Sequence, residues 1–203
     1  MTIRHILQLS ILITVSATFV IESSHAQADP AWLKSWAEAQ ERRPAVLVSH
    51  STIATEDEPG TPLVINGTVL QPNGTPASDV IVHAYHRDHD GFELGTNDRE
   101  FTTWELQGWI QTDVDGKFQF KTIRPAPDHL HREGAHLHFT LESEEFGRQW
   151  ATKIFLSDDP AVTKEMKLRS KEQGLFGAVR DIKIVDGVQS ITVRFKFKET
   201  ADF

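Results

Sequence analysis

The chain has 203 residues, no cysteine and a formal net charge of −8 at neutral pH. With 39% hydrophobic and 25% charged residues it can pack one domain, and long disorder is not expected. The acidic balance argues against a nucleic-acid or anionic-membrane partner, and the missing thiols remove cysteine as metal ligand or nucleophile.

Residues 1–26 read as a secretory signal. Arg4 lies in a short leading segment, residues 7–21 are mostly apolar, and Ser24-His25-Ala26 fits cleavage before Gln27. The apolar run is about fifteen residues, short of the roughly 20 needed to span a bilayer. The expectation is therefore a secreted or periplasmic protein with no membrane association after signal removal. Without disulfides, such a protein must be held together by its core.

Residues 27–61 read as an N-terminal helix and a connector. Asp29 can cap a helix over residues 30–43, and Pro30 suits its first turn. Trp32 and Trp36, four apart, share a face that would pack the arm onto the domain or a partner. Residues 45–48 could be a strand, and the polar, acidic stretch 49–61 reads as a connector.

Residues 62–203 read as a run of strands: 63–70, 80–85, 109–112, 117–123, 136–142, 149–156, 182–185 and 191–197. Turn signals separate them, among them Pro72-Asn73-Gly74, Asp113-Val114-Asp115-Gly116 and Asp186-Gly187. Residues 163–172 fit a short helix or a polar loop, and 91–106 form a long insert of the kind that carries function. This spacing predicts an all-β fold, a β-sandwich with a short N-terminal helical arm.

The most informative stretch holds two His-x-His pairs, His129-Leu130-His131 and His136-Leu137-His138. Period two places both imidazoles of the second pair on one strand face, a favourable start for a metal site.

Several ordered blocks then carry a resemblance. They are Gly67-Thr68-Val69, Asn73-Gly74-Thr75-Pro76, Val82-His83-Ala84-Tyr85-His86, Asp90-Gly91-Phe92-Glu93, Gly108-Trp109, Thr112-Asp113-Val114-Asp115-Gly116-Lys117-Phe118, Thr122-Ile123-Arg124-Pro125-Ala126-Pro127, Ala135-His136-Leu137-His138-Phe139 and the stretch 152–160. In this order the chain resembles the intradiol ring-cleavage dioxygenases, especially their small secreted members. The resemblance implies a β-sandwich of the intradiol type holding one ferric ion through two histidines and two tyrosinates.

Carried across, the histidines are His136 and His138, but the tyrosines are absent. The family's Gly-x-Tyr falls on Gly91-Phe92-Glu93, and its Pro-Tyr-Pro falls on Pro127-Asp128-His129. The chain's single tyrosine is Tyr85, and Glu133 stands where the family places an arginine.

Substitution by residue types that themselves bind metal suggests a rebuilt mononuclear centre. The expected ligands are His136 and His138, then Asp128 or His129, then Glu93. Two histidines and a carboxylate suit iron first, and a third histidine would suit copper or zinc. Glu93 or Asp128, where not ligating, would act as general base. His86 is expected near the site, whereas His131, Arg132 and Glu133 read as residues that support the ligands from outside or lie on the surface.

The function read from the sequence is a metal-dependent, dioxygenase-like oxidoreductase. It would act on a small phenolic, catecholic or related substrate with O₂, and homo-oligomer formation is left open. The alternatives are a non-catalytic prealbumin-like binding module and a periplasmic copper- or zinc-binding protein.

Overall fold

The protein is described by a computed structural model covering residues 29–94 and 102–203. The secretory segment expected at 1–26 and part of the 91–106 insert lie outside these residues.

Two sheets face each other. The first has five strands in the order β1 (His50–Thr52), β5 (Lys117–Ile123), β2 (Pro62–Leu70), β11 (Val188–Lys196) and β10 (Lys183–Val185). The second runs β4 (Leu106–Gln111), β3 (Ile81–His86), β6 (His136–Ser143), β8 (Ile154–Leu156) and β9 (Val179–Arg180), with β7 (Gly147–Trp150) also paired to β6. Between the sheets lies one apolar core, with Leu63, Ile65, Phe118 and Phe120 on one side and Val82, Ala84, Leu137 and Phe139 on the other.

Strand β2 alternates buried and partly buried residues, as expected for a sheet with one covered face. Its Gly67 is required by a neighbour, because a Cβ there would stand 2.0 Å from Phe118 Cζ. Gly67→Ala is expected to destabilise the fold by about 3 kcal/mol, the upper part of the overpacking range. That outweighs the roughly 0.5–1 kcal/mol an alanine would gain in strand propensity. Chemical denaturation measures the loss, and an unchanged midpoint would contradict the packing seen at Phe118.

Strand β3 behaves differently, since five of its six residues are buried. Its inner face is covered by the opposite sheet. Its outer face, carrying His83 and Tyr85, is covered by helix α1 (Pro30–Glu41) and by Trp104 and Trp109. Asp29 caps α1 by accepting from Ala31 N at 2.9 Å. Trp36 and Ala39 are its buried residues, and the Trp32 indole donates to the Tyr85 hydroxyl at 2.8 Å. The tryptophan face of the arm thus packs onto the domain.

Two elements depart from the sequence reading, and between them one open alternative is resolved. No strand forms at 45–48; pairing begins at His50, and Val46 stays 81% exposed. Residues 163–172 form helix α2 (Lys164–Glu172), capped by Thr163. The single strand expected over 149–156 is two. Thr140 pairs with Trp150 but Leu137 pairs with Ile154, so one extra residue has entered this side of the ladder. Such a bulge re-aims side chains, and Lys153, within it, reaches Glu133 at 2.9 Å.

Candidate metal centre

Strand β6 delivers His136 and His138 to the outer face of the second sheet. Tyr85 lies directly across from His138 in the ladder, and their rings stack at 4.6 Å with planes 2° apart. Trp104 stacks on the other side of Tyr85, 3.8 Å between centroids. An aromatic wall therefore fixes the His138 ring.

The two Nε2 atoms converge to 2.8 Å. His136 Nδ1 lies 2.8 Å from the Gly134 carbonyl and 3.4 Å from Arg87 Nη1. A protonated Nδ1 suits the carbonyl and an unprotonated one the guanidinium. The shorter contact decides, so Nδ1–H donates to Gly134 and Nε2 keeps its lone pair. Burial pushes the His136 pKa down to about 4, with the nearby His138 charge adding to it against the Gly134 bond and Glu133. His136 is thus neutral at pH 7, the form that binds metal.

Glu93 completes a compact trio. Ligand atoms of Glu93, His136 and His138 all lie within 4.8 Å of one another. Glu93 Oε1 is 3.5 Å from His138 Nε2 and 3.3 Å from Arg87 Nη2. Burial pushes the Glu93 pKa up, but His138, Arg87 and His136 together take it below its usual value.

The loop that carries Glu93 is built by Asp88, whose Oδ1 accepts from Asp90 N at 3.0 Å and Phe92 N at 2.9 Å. Gly91, at φ +89°, lets this loop close on the next one, because a Cβ would meet the Pro127 carbonyl at 2.4 Å. On the far side, Asp159 holds the backbone before the histidines by accepting from Ala135 N at 3.0 Å.

Of the expected ligands, the structure brings together Glu93, His136 and His138 and leaves Asp128 and His129 outside the trio. Asp128 Oδ1 accepts from Leu130 N at 2.7 Å and Oδ2 from Arg132 Nε at 3.4 Å. It closes its own turn, a common use of aspartate in loops. The backbone bond from Leu130 is the main reason its pKa lies below the usual range. His129 stacks on Phe92 at 4.6 Å and lies 3.5 Å from Asp128.

His86 points between the sheets, bonded at 2.7 Å to Thr122 Oγ1 and to the Arg87 carbonyl. Arg132 is exposed, but Glu133 is drawn inward by Lys153 and Arg87.

The sequence reading missed Arg87, Asp88 and Asp159. Period two beyond His83 and Tyr85 puts Arg87 on the site face, and Asp88-His89-Asp90-Gly91 is a turn signal. Nothing in the sequence marks Asp159.

This donor set fits a single metal ion held by two imidazoles and a carboxylate, and it does not fit a tyrosinate centre. Tyr85, the chain's one tyrosine, presents its ring face to His138 and its hydroxyl to Trp32. Burial, first of all, raises its pKa, so its phenol stays protonated.

A family model described as "Dioxygenase" matches residues 39–200. The chain belongs to the intradiol ring-cleavage dioxygenase family. Catechol 1,2-dioxygenase 1 of Acinetobacter lwoffii is 28% identical over 134 residues, 58% of this chain and 43% of that one. Catechol 1,2-dioxygenase 2 of the same organism is 27% identical over 151 residues, 66% of this chain and 54% of that one. The chain thus spans about half the length of these curated relatives.

Among solved structures, catechol 1,2-dioxygenase from Acinetobacter sp. ADP1 superposes with a TM-score of 0.59 at 18% identity, over 77% of this chain and 60% of that one. The dioxygenase domain of a dioxygenase–carbohydrate-binding protein fusion from Streptomyces sp. SirexAA-E gives 0.54 at 18%, over 76% and 91%. These structures share the fold.

Proposed function

We propose that this protein is a metal-dependent oxygenase-like enzyme that uses O₂ on a small phenolic or catecholic molecule outside the cytoplasm. The observation that carries this reading is the convergence of Glu93, His136 and His138 on one point within a family fold. The apolar segment at 7–21, followed by Ser24-His25-Ala26, supports export.

Glu93, His136 and His138 would hold the metal, with iron first and copper or zinc as alternatives. A metal there supplies Lewis-acid polarisation of substrate oxygen and a redox centre for O₂. The chain's own residues do the rest. His138 is fixed between ligand and stacking duties by Tyr85 and Trp104. Glu93 is ionised at neutral pH, the state in which a carboxylate ligates a metal. Arg87, mostly buried beside Glu93 and Glu133, fixes both carboxylates. Asp128, occupied by Leu130 N and Arg132, holds its loop instead of serving as base.

The test combines elemental analysis of untagged protein with oxygen uptake across a panel of phenols and catechols. The expected result is one metal per chain and uptake with at least one catecholic compound. The iron-loaded protein should lack the intense visible band of a ferric tyrosinate, because Tyr85 is committed elsewhere. Metal without uptake would leave a metal-binding protein, and no metal would leave a binding module. An intense red-brown protein would show that Tyr85 ligates after all.

A further inference from the structure

The sequence reads Glu133 as a supporting or surface residue, not a ligand, and it is not part of the compact trio. Its geometry is nevertheless directed. Lys153 Nζ holds Oε1 at 2.9 Å. Oε2 is turned inward, 3.8 Å from His136 Nε2 and 3.3 Å from Arg87 Nη2. That same Nη2 lies 3.3 Å from Glu93 Oε1, which faces His138 Nε2 at 3.5 Å. One guanidinium nitrogen therefore sits between two carboxylates, and each carboxylate faces one imidazole.

We propose that Glu133 is a second carboxylate ligand of this centre, and that Arg87 is the counter-cation holding both carboxylates over the histidine pair before a metal arrives. The proposal rests on the metal-site reading above.

Several features support it. The Arg87 side chain is only 13% exposed, and a guanidinium that buried needs carboxylate partners. With Lys153 on the outer oxygen of Glu133, two cations balance the two carboxylates and keep both ionised, the state in which a carboxylate ligates a metal. Lys153 orients the glutamate through its outer oxygen, as outer partners of metal ligands commonly do. The bulge between β7 and β8 is what brings Lys153 there. The Glu133 side chain is 38% exposed, so it has room to rotate the short distance into the trio. Two imidazoles and two carboxylates form a hard, oxygen-rich set suited to iron or manganese as well as zinc.

The experiment titrates the metal-free protein with Co²⁺ and follows both affinity and visible d–d absorption, which reports the ligand number and geometry. Glu133→Gln keeps an oxygen for Lys153 and removes the charge; Glu133→Ala removes both oxygens. Circular dichroism checks that each variant is folded. Both variants are expected to bind Co²⁺ at least tenfold more weakly and with a changed absorption spectrum. Loss of an outer-shell partner alone costs about 10–100-fold, so the spectrum decides. If the variants keep the wild-type spectrum, whatever their affinity, Glu133 is not a ligand and the proposal is overturned. His138→Ala is the separate control. Wild-type Co²⁺ affinity in that variant would remove the metal centre itself, a failure distinguishable from that of Glu133 alone.

Discussion

His136→Ala will abolish the thermal stabilisation that a bound metal gives the protein. Ligand binding to the folded state alone contributes RT ln(1 + [L]/Kd), about 2.7 kcal/mol at a hundredfold excess over Kd. For a domain of this length, each kcal/mol moves the midpoint by about 2–4 °C. Metal at that excess should therefore raise the wild-type midpoint by roughly 5–11 °C.

Of the three proposed ligands, His136 is the least able to be replaced. It is 2% exposed, its Nδ1 is tied to Gly134, and its Nε2 faces that of His138 at 2.8 Å. Outer-shell changes cost about 10–100-fold in affinity, so loss of a direct ligand should exceed that. The same metal concentration then falls below Kd, and the midpoint should move by less than about 2 °C.

The metal-free variant separates this from simple unfolding. Alanine leaves a gap, but it also removes a buried imidazole whose partner nitrogen can share only one proton with it. Differential scanning calorimetry with and without metal reads both quantities. An equal metal-induced shift in wild type and variant would exclude His136 from the centre.

The fold was legible wherever one face of a strand is buried and the other is not. Strands β2, β5 and β6 were found nearly to their ends because Leu63 and Ile65, Phe118 and Phe120, and Leu137 and Phe139 alternate against the opposite sheet. The bulge before Ile154 was not legible. It arises from the register of a partner strand, which no local pattern encodes.

The site shows the same division. His136 and His138 follow from period two alone. Glu93 was suggested by its place in the family pattern, and the loop that delivers it is written in Asp88 and Gly91. Asp128 looked equally able to ligate, because an aspartate closing its own turn and an aspartate on a metal have the same sequence. Glu133 stands at a family site position, but Lys153 is twenty positions away and meets it only through the sheet, so the inward turn of Glu133 was not legible.

Lowering the pH from 7 to 5 is expected to destabilise the metal-free protein by about 4 kcal/mol through two histidines outside the metal trio, in addition to the roughly 2 kcal/mol that His136, also held near 4, contributes. His83 and His86 are each fully enclosed. Burial pushes His83 down to about 3 against its Gln107 bond, and His86 to about 4 against the bond to the Arg87 carbonyl.

Both folded values lie below the unfolded value of about 6.5, so between pH 6.5 and 4 the unfolded chain binds more protons than the native one. Their contribution is complete above pH 6.5 and is lost as the pH falls towards the folded pKa. At pH 5 this amounts to about 1.5 units per histidine, or roughly 2 kcal/mol each. The carboxylates whose pKa is held low, Glu93, Asp128, Glu133 and Asp158, act in the same direction, but only as the pH falls below the ordinary carboxylate range. The interval from 6.5 to 5 therefore belongs to histidine.

His83→Phe isolates one of the two. Phenylalanine can keep the stack on Trp109, seen at 4.6 Å between rings, and it cannot be protonated. It gives up the 3.0 Å contact to Gln107, so some stability is lost at every pH. The informative quantity is the slope of unfolding free energy against pH, measured by urea denaturation in chelator at half-unit steps. His83→Phe should lower that slope by about one proton's worth, near 1.4 kcal/mol per pH unit. An unchanged slope would mean that His83 is already protonated in the folded protein, contrary to its burial against Trp109.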